Sequence, residues 1–416
     1  MNEILHKQYT AEELMAMEDR YGAHNYHPLP VVLSRGEGVY VWDVDGKRYY
    51  DFLSAYSAVN QGHGHPKIVK ALQEQVQRLA LTSRAFYNDK LGLYEKYITE
   101  YFGYDKVLPM NTGAEGVETA IKLVRKWGYE KRGIPPYEAN IIVAEGNFHG
   151  RTTTIISFST DPEAKDGFGP YTPGFTAIPY NDVQALEKAL EENPNTVAFL
   201  VEPIQGEAGV NVPDDGYLKK AKAICEKYHC LLVADEIQTG IARTGKLLAS
   251  YYDEVRPDVL ILGKALSGGV YPISAVLADD DIMLSIKPGQ HGSTFGGNPV
   301  AAAVAVAALE VVEEENLARN AMKTGQLFRN ELQKQIGAHP LVKQIRGKGL
   351  LNAMVINDSP ESETAWNICL KLRDNGLLAK PTHGNIIRFA PPLVINEEQI
   401  LESVSIIANT IKQYAG

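Results

Sequence analysis

The sequence predicts an α/β protein: a large, mostly parallel sheet covered by helices on both faces, with a smaller α+β C-terminal domain and an N-terminal arm. Three observations predict it. Short Val/Ile/Leu-rich segments without polar alternation recur between helical patterns, as expected of strands buried on both faces. At 416 residues the chain is longer than one core usually organises. Beyond residue 300 the strand–helix alternation gives way to long helices around a few strands. The expected division is an arm and first small-domain segment at 1–65, a large domain at 66–300 and a small domain at 301–416.

Taken in order, the first thirty residues read as a helix and then the extended arm NYHPLPVVLSRGEG. GVYVWDVDGKRYYDF alternates apolar and polar residues about Asp45-Gly46, a hairpin signal. Strands are expected at 106–110, 140–145, 175–180, 197–203, 230–236, 258–263 and 272–278. EGVETAIKLVRKWGYEK supplies a covering helix, with Val117, Ala120, Ile121, Val124 and Trp127 on one face. A long helix over about 317–336 leads into IRGKGLLNAMVI and NIIRFAPPL, and a last helix spans 396–414.

Composition narrows the class. The net charge of −10 lacks the basic excess of a nucleic-acid binder. Three cysteines, none in a C-x-x-C pair, are too few for a disulfide framework and suit a reducing compartment. The first 22 residues are acidic and amphipathic, unlike a secretory signal or a transit peptide, so a cytoplasmic protein is expected. The run VAAAVAVAAL is too short to span a bilayer.

Ligands of such sheets collect at the carboxyl ends of the strands. Polar residues there are Asp235 and Glu236 after LLVA, Glu202 after AFLV, Lys264 after LILG, and Asn111 to Ala114 after VLPM. GIARTGKL resembles a phosphate loop, but Leu247 stands where a Mg²⁺-binding hydroxyl is needed and the glycines do not follow a strand directly. His63 and His65 lack a third metal ligand at suitable spacing. The glycine-containing turn at Gly113-Ala114 can turn backbone N–H groups toward an anion. Asp235, ending a buried strand, needs a partner such as a protonated ring nitrogen. Phe148 and His149 form an aromatic pair able to lie against a flat ring, and Arg151 has the fork geometry for a carboxylate. Lys264, at the mouth of a buried strand, is an amine whose burial must be repaid. A phosphate cradle, a buried carboxylate, an aromatic plate and a buried lysine together describe pyridoxal 5′-phosphate. Lys264 would condense with its aldehyde and Asp235 would keep its ring nitrogen protonated.

The ordered set NTGAE, NFHGRT, VEPIQGEAG, ADEIQTGIARTG, LGKALSGG and HGSTFGGNP resembles the class III, omega-type aminotransferases of fold type I, the pyridoxal phosphate-dependent transferase fold. The likeness runs from about residue 20 to the C-terminus. One departure is Gly116-Val117, where many members carry alanine first. The resemblance implies cofactor phosphate contacts from Gly113 and Ala114, and from Ser293 and Thr294 of a neighbouring subunit, hence a homodimer with composite sites. It implies Phe148 stacked on the ring, Asp235 on its nitrogen, Gln238 on its phenolic oxygen, and Lys264 as both attachment point and acid/base. Flanking segments such as SAYSAVNQGHGHP and LLAKPTHG imply L-ornithine as amine donor and 2-oxoglutarate as acceptor, yielding glutamate. Tyr26 and Tyr56 would contact the donor's distal α-groups and Arg151 a carboxylate of the oxo acid. Glu207 would mask Arg388 in one half-reaction and release it in the other, while Glu202 would orient the Glu207–Gln238 region. Alternatives are an acetylornithine or 4-aminobutyrate donor, an isomerase on the same scaffold, or a cofactor-free binding protein. No metal is expected.

Overall fold

In the computed structural model, which describes residues 8–414, the alternating segment forms β1 (Leu33–Glu37), β2 (Tyr40–Asp43) and β3 (Arg48–Asp51). The β2–β3 turn works because Gly46 adopts φ +84° while Asp43 Oδ1 accepts from the amides of Asp45 and Lys47 at 3.1 and 2.8 Å. A capping box between Thr10 and Glu13 starts the helix Ala11–Tyr21 of the arm.

The central sheet contains β4 (Lys106–Met110), β5 (Asn140–Ala144), β6 (Phe175–Ile178), β7 (Thr196–Val201), β8 (Leu231–Asp235), β9 (Val259–Leu262) and β10 (Ser274–Ala278), in the order β4-β10-β9-β8-β7-β5-β6. Only β10 runs against its two neighbours. The strand pleat feeds two cores. Ile141 and Val143 enter one with Val117 and Val124 of the helix Gly113–Lys131; Ile142 and Ala144 enter the other with Leu186 of Val183–Glu192 and Leu218 of Tyr217–Lys227. Burial on both faces explains why these strands carry no polar alternation.

The run VAAAVAVAAL lies in the helix Pro299–Glu314, apolar nearly all round because it is buried on most sides. Among the described residues, no helix is long and apolar enough to cross a membrane. Beyond it come the helix Leu317–Ile336, then β11 (Val342–Lys348), β12 (Leu351–Ile356), β13 (Leu377–Leu378), β14 (Lys380–Thr382) and β15 (Ile386–Phe389). An antiparallel sheet has the order β11-β12-β15-β14. β13 instead joins the first hairpin, parallel to β3, with Tyr50 N–H donating to Gly376 O at 2.9 Å.

Candidate active site

Parallel pairing of β8 with β9 brings Asp235 and the Gly263–Lys264 turn to one edge of the central sheet. Lys264 has φ +41°, a left-handed conformation costing a non-glycine residue about 1–2 kcal/mol. The 3₁₀ turn Lys264–Ser267 is held by Gln61, whose Nε2 donates to Ala265 O at 3.0 Å. The helix Gly113–Lys131 begins at the same edge, its first turn closed by a capping box between Thr112 and Glu115. Gly116, the departure noted above, faces β9: a Cβ there would come within 3.1 Å of Ile261 Cγ2. A cavity of about 200 Å³ lies between these elements, lined by Gly113, Ala114, Phe148, His149, Glu202, Glu207, Asp235, Gln238 and Lys264 among others.

The charges in this cavity are ordered by their partners. Asp235 Oδ2 accepts from His149 Nδ1 at 2.6 Å and Oδ1 from the Ile237 amide at 3.0 Å. Burial opposes charge on His149, but the hydrogen bond and charge of Asp235 outweigh it and raise the imidazole above its ordinary value. His149 is thus engaged at its ring edge by the carboxylate, and Phe148 is the other aromatic ring in the lining. Glu202 Oε1 accepts the Phe148 amide at 2.9 Å; burial, aided by the charge of Asp235, pushes this carboxyl up to about 7. Glu207 Oε1 accepts from Arg388 Nη1 at 2.8 Å and from Gln238 Nε2 at 3.4 Å. Burial would raise Glu207, but the adjacent guanidinium holds it below the ordinary glutamate value. Burial depresses the Lys264 amine, against the opposing charges of Glu207, Asp235 and Glu202. Glu236 is turned away, capping the turn at Ala249–Asp253 through the Ala249 and Ser250 amides.

Two buried atoms in this lining, Gln238 Oε1 and His149 Nε2, have no partner in the protein. With the carboxylate–imidazole pair, the Phe148 face, the helix start and the depressed amine, they fit a flat cofactor bearing a phosphate and an aldehyde.

The remaining expected residues are distributed around the cavity. Tyr56 sits in a left-handed turn, Ser54–Ser57, in which four successive non-glycine residues have positive φ; it places its ring 5.1 Å from the Arg388 guanidinium carbon. Tyr26 is largely exposed on the arm, outside the cavity lining. Arg151, exposed, stands 5.7 Å over the Phe148 ring and lines a wider cleft of about 710 Å³ that shares Phe148 and Glu207 with the cavity. Ser293 and Thr294 do not line the cavity: Ser293 Oγ accepts from Asn111 Nδ2 at 2.7 Å, and Thr294 is exposed.

The motifs set aside from the sequence acquire other duties. Arg243 of GIARTG is wholly buried, donating from Nε and Nη2 to Asn60 Oδ1 at 3.1 and 2.6 Å and from Nη1 to the carbonyls of Leu350 and Pro391 at 3.0 and 2.6 Å. Burial lowers it to about 9. It ties the segment at Asn60 to the chain around Leu350 and Pro391, a role no local pattern announces. His63 and His65 bond separate carboxylates, Asp51 at 2.7 Å and Glu315 at 2.9 Å. All three cysteines are free and buried. Sequence reasoning missed the His149–Asp235 bond, although a histidine beside the aromatic plate was the available signal.

Residues 21–411 match the family described as aminotransferase class-III. The chain is 64% identical over 401 residues to the protein of Drosophila melanogaster named "Ornithine aminotransferase, mitochondrial", covering 96% of this chain and 92% of that protein. Among solved structures, the acetylornithine aminotransferase of Elizabethkingia anophelis superposes with a TM-score of 0.90 at 61% identity, covering 98% of this chain and all of the other. The ornithine aminotransferase of Toxoplasma gondii, described with partial occupancy of PLP at its active site, gives a TM-score of 0.95 at 50% identity, covering 97% and 94%. The fold is therefore that of the fold type I transferases, and the chain belongs to the class-III aminotransferases.

Proposed function

We propose that this chain transfers the terminal amino group of L-ornithine to 2-oxoglutarate, with pyridoxal 5′-phosphate as cofactor, giving glutamate 5-semialdehyde and glutamate. The semialdehyde cyclises spontaneously to pyrroline-5-carboxylate. The observation that carries this reading is the Glu207–Arg388 pair at 2.8 Å beside Lys264. A donor reacting through its terminal amine presents no carboxylate near the chemistry, so a masked arginine suits it. 2-Oxoglutarate brings a carboxylate there and needs the arginine free. Each hydrogen bond to a charged group contributes about 1.5–3 kcal/mol, so two or three changing partners separate the substrates.

Bound in the cavity, the cofactor would supply an aldehyde carbon for the incoming amine and a ring that takes up the electron pair left on the donor carbon. Gly113 and Ala114 would hold its phosphate with backbone N–H groups, Phe148 its face, and Gln238 its phenolic oxygen. Asp235, fixed by His149, would keep a proton on the ring nitrogen. Lys264, its basicity reduced by burial, holds and returns the proton moved at the donor carbon, an effect typically worth about 10²–10⁴-fold. Arg151 receives a carboxylate of the oxo acid at the cleft, and Tyr26 and Tyr56 receive the distal α-groups of ornithine.

The same reading makes the protein a homodimer, with Ser293 and Thr294 serving the cofactor of a second copy. It keeps the three-part division at residues 65 and 300 and a cytoplasmic location. The fly relative carries a mitochondrial name, and cell fractionation with an antibody to this chain tests the location. The name of the Elizabethkingia structure favours a second reading, acetylornithine as donor. A donor panel with 2-oxoglutarate decides: ornithine is expected to give the highest kcat/KM, and faster turnover of acetylornithine overturns the assignment.

A further inference from the structure

Glu207 lies between β7 and the helix Tyr217–Lys227, in a segment that leaves the central sheet. Its loop is closed at the base by reciprocal backbone bonds between Gln205 and Asn211, at 3.2 and 2.9 Å. Two carbonyls inside the loop are held by side chains of the small antiparallel sheet. Thr382 Oγ1 on β14 donates to Glu207 O at 2.9 Å. Arg346 on β11 donates from Nε and Nη2 to Gly209 O at 3.0 and 2.7 Å. Gly209, at φ +105°, lies flat against β15: a Cβ there would meet Ile386 Cδ1 at 2.5 Å. The register places Arg346, Ala353, Arg388 and Lys380 in one row across that sheet. The carboxylate and the arginine it covers are thus both anchored to the same sheet.

We infer that Thr382 and Arg346 are positioning residues for substrate selection: by strapping the Gly206–Val210 loop to the sheet that carries Arg388, they set how firmly Glu207 covers that arginine. The inference rests on the proposed role of the Glu207–Arg388 pair and adds to it the residues that tune the pair. Neither strap residue lines the 200 Å³ cavity; Thr382 also borders the wider cleft that holds Arg151, whereas Arg346 lines neither and acts through the loop alone, so its variant separates the strap from direct contact. Releasing the strap leaves Arg388 uncovered more of the time, favouring dicarboxylates and disfavouring a donor with no carboxylate at that position.

The test compares the holoenzyme with Thr382→Val, which keeps the shape and removes the donor, and Thr382→Ser, which restores it. Calorimetric titration with glutarate, a dicarboxylate with neither amine nor ketone, reports the exposure of Arg388 without turnover. Thr382→Val is expected to bind glutarate about two- to tenfold tighter, the worth of one hydrogen bond. The kcat/KM for the amine donor should fall by a similar factor, while that for 2-oxoglutarate holds or rises. Thr382→Ser should return both to the parent values, and Arg346→Met should shift them in the same direction as Thr382→Val. Unchanged or weaker glutarate binding, or a matched fall in both kcat/KM values, overturns the inference. If the parent enzyme prefers acetylornithine, the substrate assignment fails while the glutarate comparison still decides the strap.

Discussion

Glu202→Gln isolates the electrostatics of the site from its geometry. The carboxyl is 6% exposed, and its Oε1 holds the Phe148 amide at 2.9 Å. Burial raises it from 4.5 to about 7. Between those values the folded protein retains a proton that the unfolded chain has released, so the folded state binds more protons and stability falls as pH rises through the window. At about 1.4 kcal/mol per pH unit, the full window is worth about 3 kcal/mol, reached near pH 7 and constant above it. Glutamine keeps the oxygen that accepts from Phe148 and does not titrate. The variant should therefore be close to the parent in stability near pH 4.5 and more stable by up to about 3 kcal/mol at pH 8. Urea unfolding of cofactor-free protein, followed by circular dichroism at both pH values, measures the difference. A gap that is equal at the two pH values, or a variant less stable than the parent at pH 8, would refute the placement of this carboxyl as a buried, proton-retaining group.

Lys264→Ala should cut turnover by at least about 10²–10⁴-fold and abolish the visible absorbance of the purified holoenzyme; retention of both would remove the lysine from the chemistry. Arg388→Gln leaves the partly buried Glu207 without its cation and should destabilise the protein by about 1–3 kcal/mol in urea titrations. It should also raise the KM for 2-oxoglutarate by about 10–100-fold, the worth of one charged hydrogen bond. Arg243→Lys replaces a fork serving Asn60, Leu350 and Pro391 with a single ammonium, and a loss of about 3–5 kcal/mol is expected with substrate KM values unchanged.

The parts of this molecule that were legible in sequence are those governed by local rules. The central strands announced themselves because both faces of each are buried, and the helix at Gly113 because a small, glycine-containing turn follows β4. Asp235, Lys264 and Phe148 were visible as polar or aromatic groups at the carboxyl ends of apolar runs, and the edge of the sheet brings them together. The reversed direction of β10 was hidden, since an apolar run reads the same in either sense. Pairing of β13 with β3 was hidden because a two-residue strand carries no periodicity and its partner is distant in the chain. Arg243 looked like part of a phosphate loop because its neighbours are glycines; its hydrogen-bond acceptors come from remote segments. For the same reason nothing local marked Thr382 or Arg346 as supports for Glu207. The role of Tyr26, and the placing of Ser293 and Thr294 against a second copy's cofactor, came from family likeness alone, and a single chain leaves all three outside the cavity lining.

The union of β3 with β13 bears on how the protein is made. A nascent chain grows at about 5–20 residues per second, so the hairpin ending at Asp51 waits on the order of tens of seconds before Leu377 and Leu378 leave the ribosome. Throughout that interval one flank of the hairpin lacks its backbone partner, and the left-handed turn bearing Tyr56 lacks the arginine beneath it. Slow codons or a shortage of holding chaperones should therefore injure this protein at its first hairpin, whose Val39, Tyr50 and Phe52 share one core with Leu377 and Phe389.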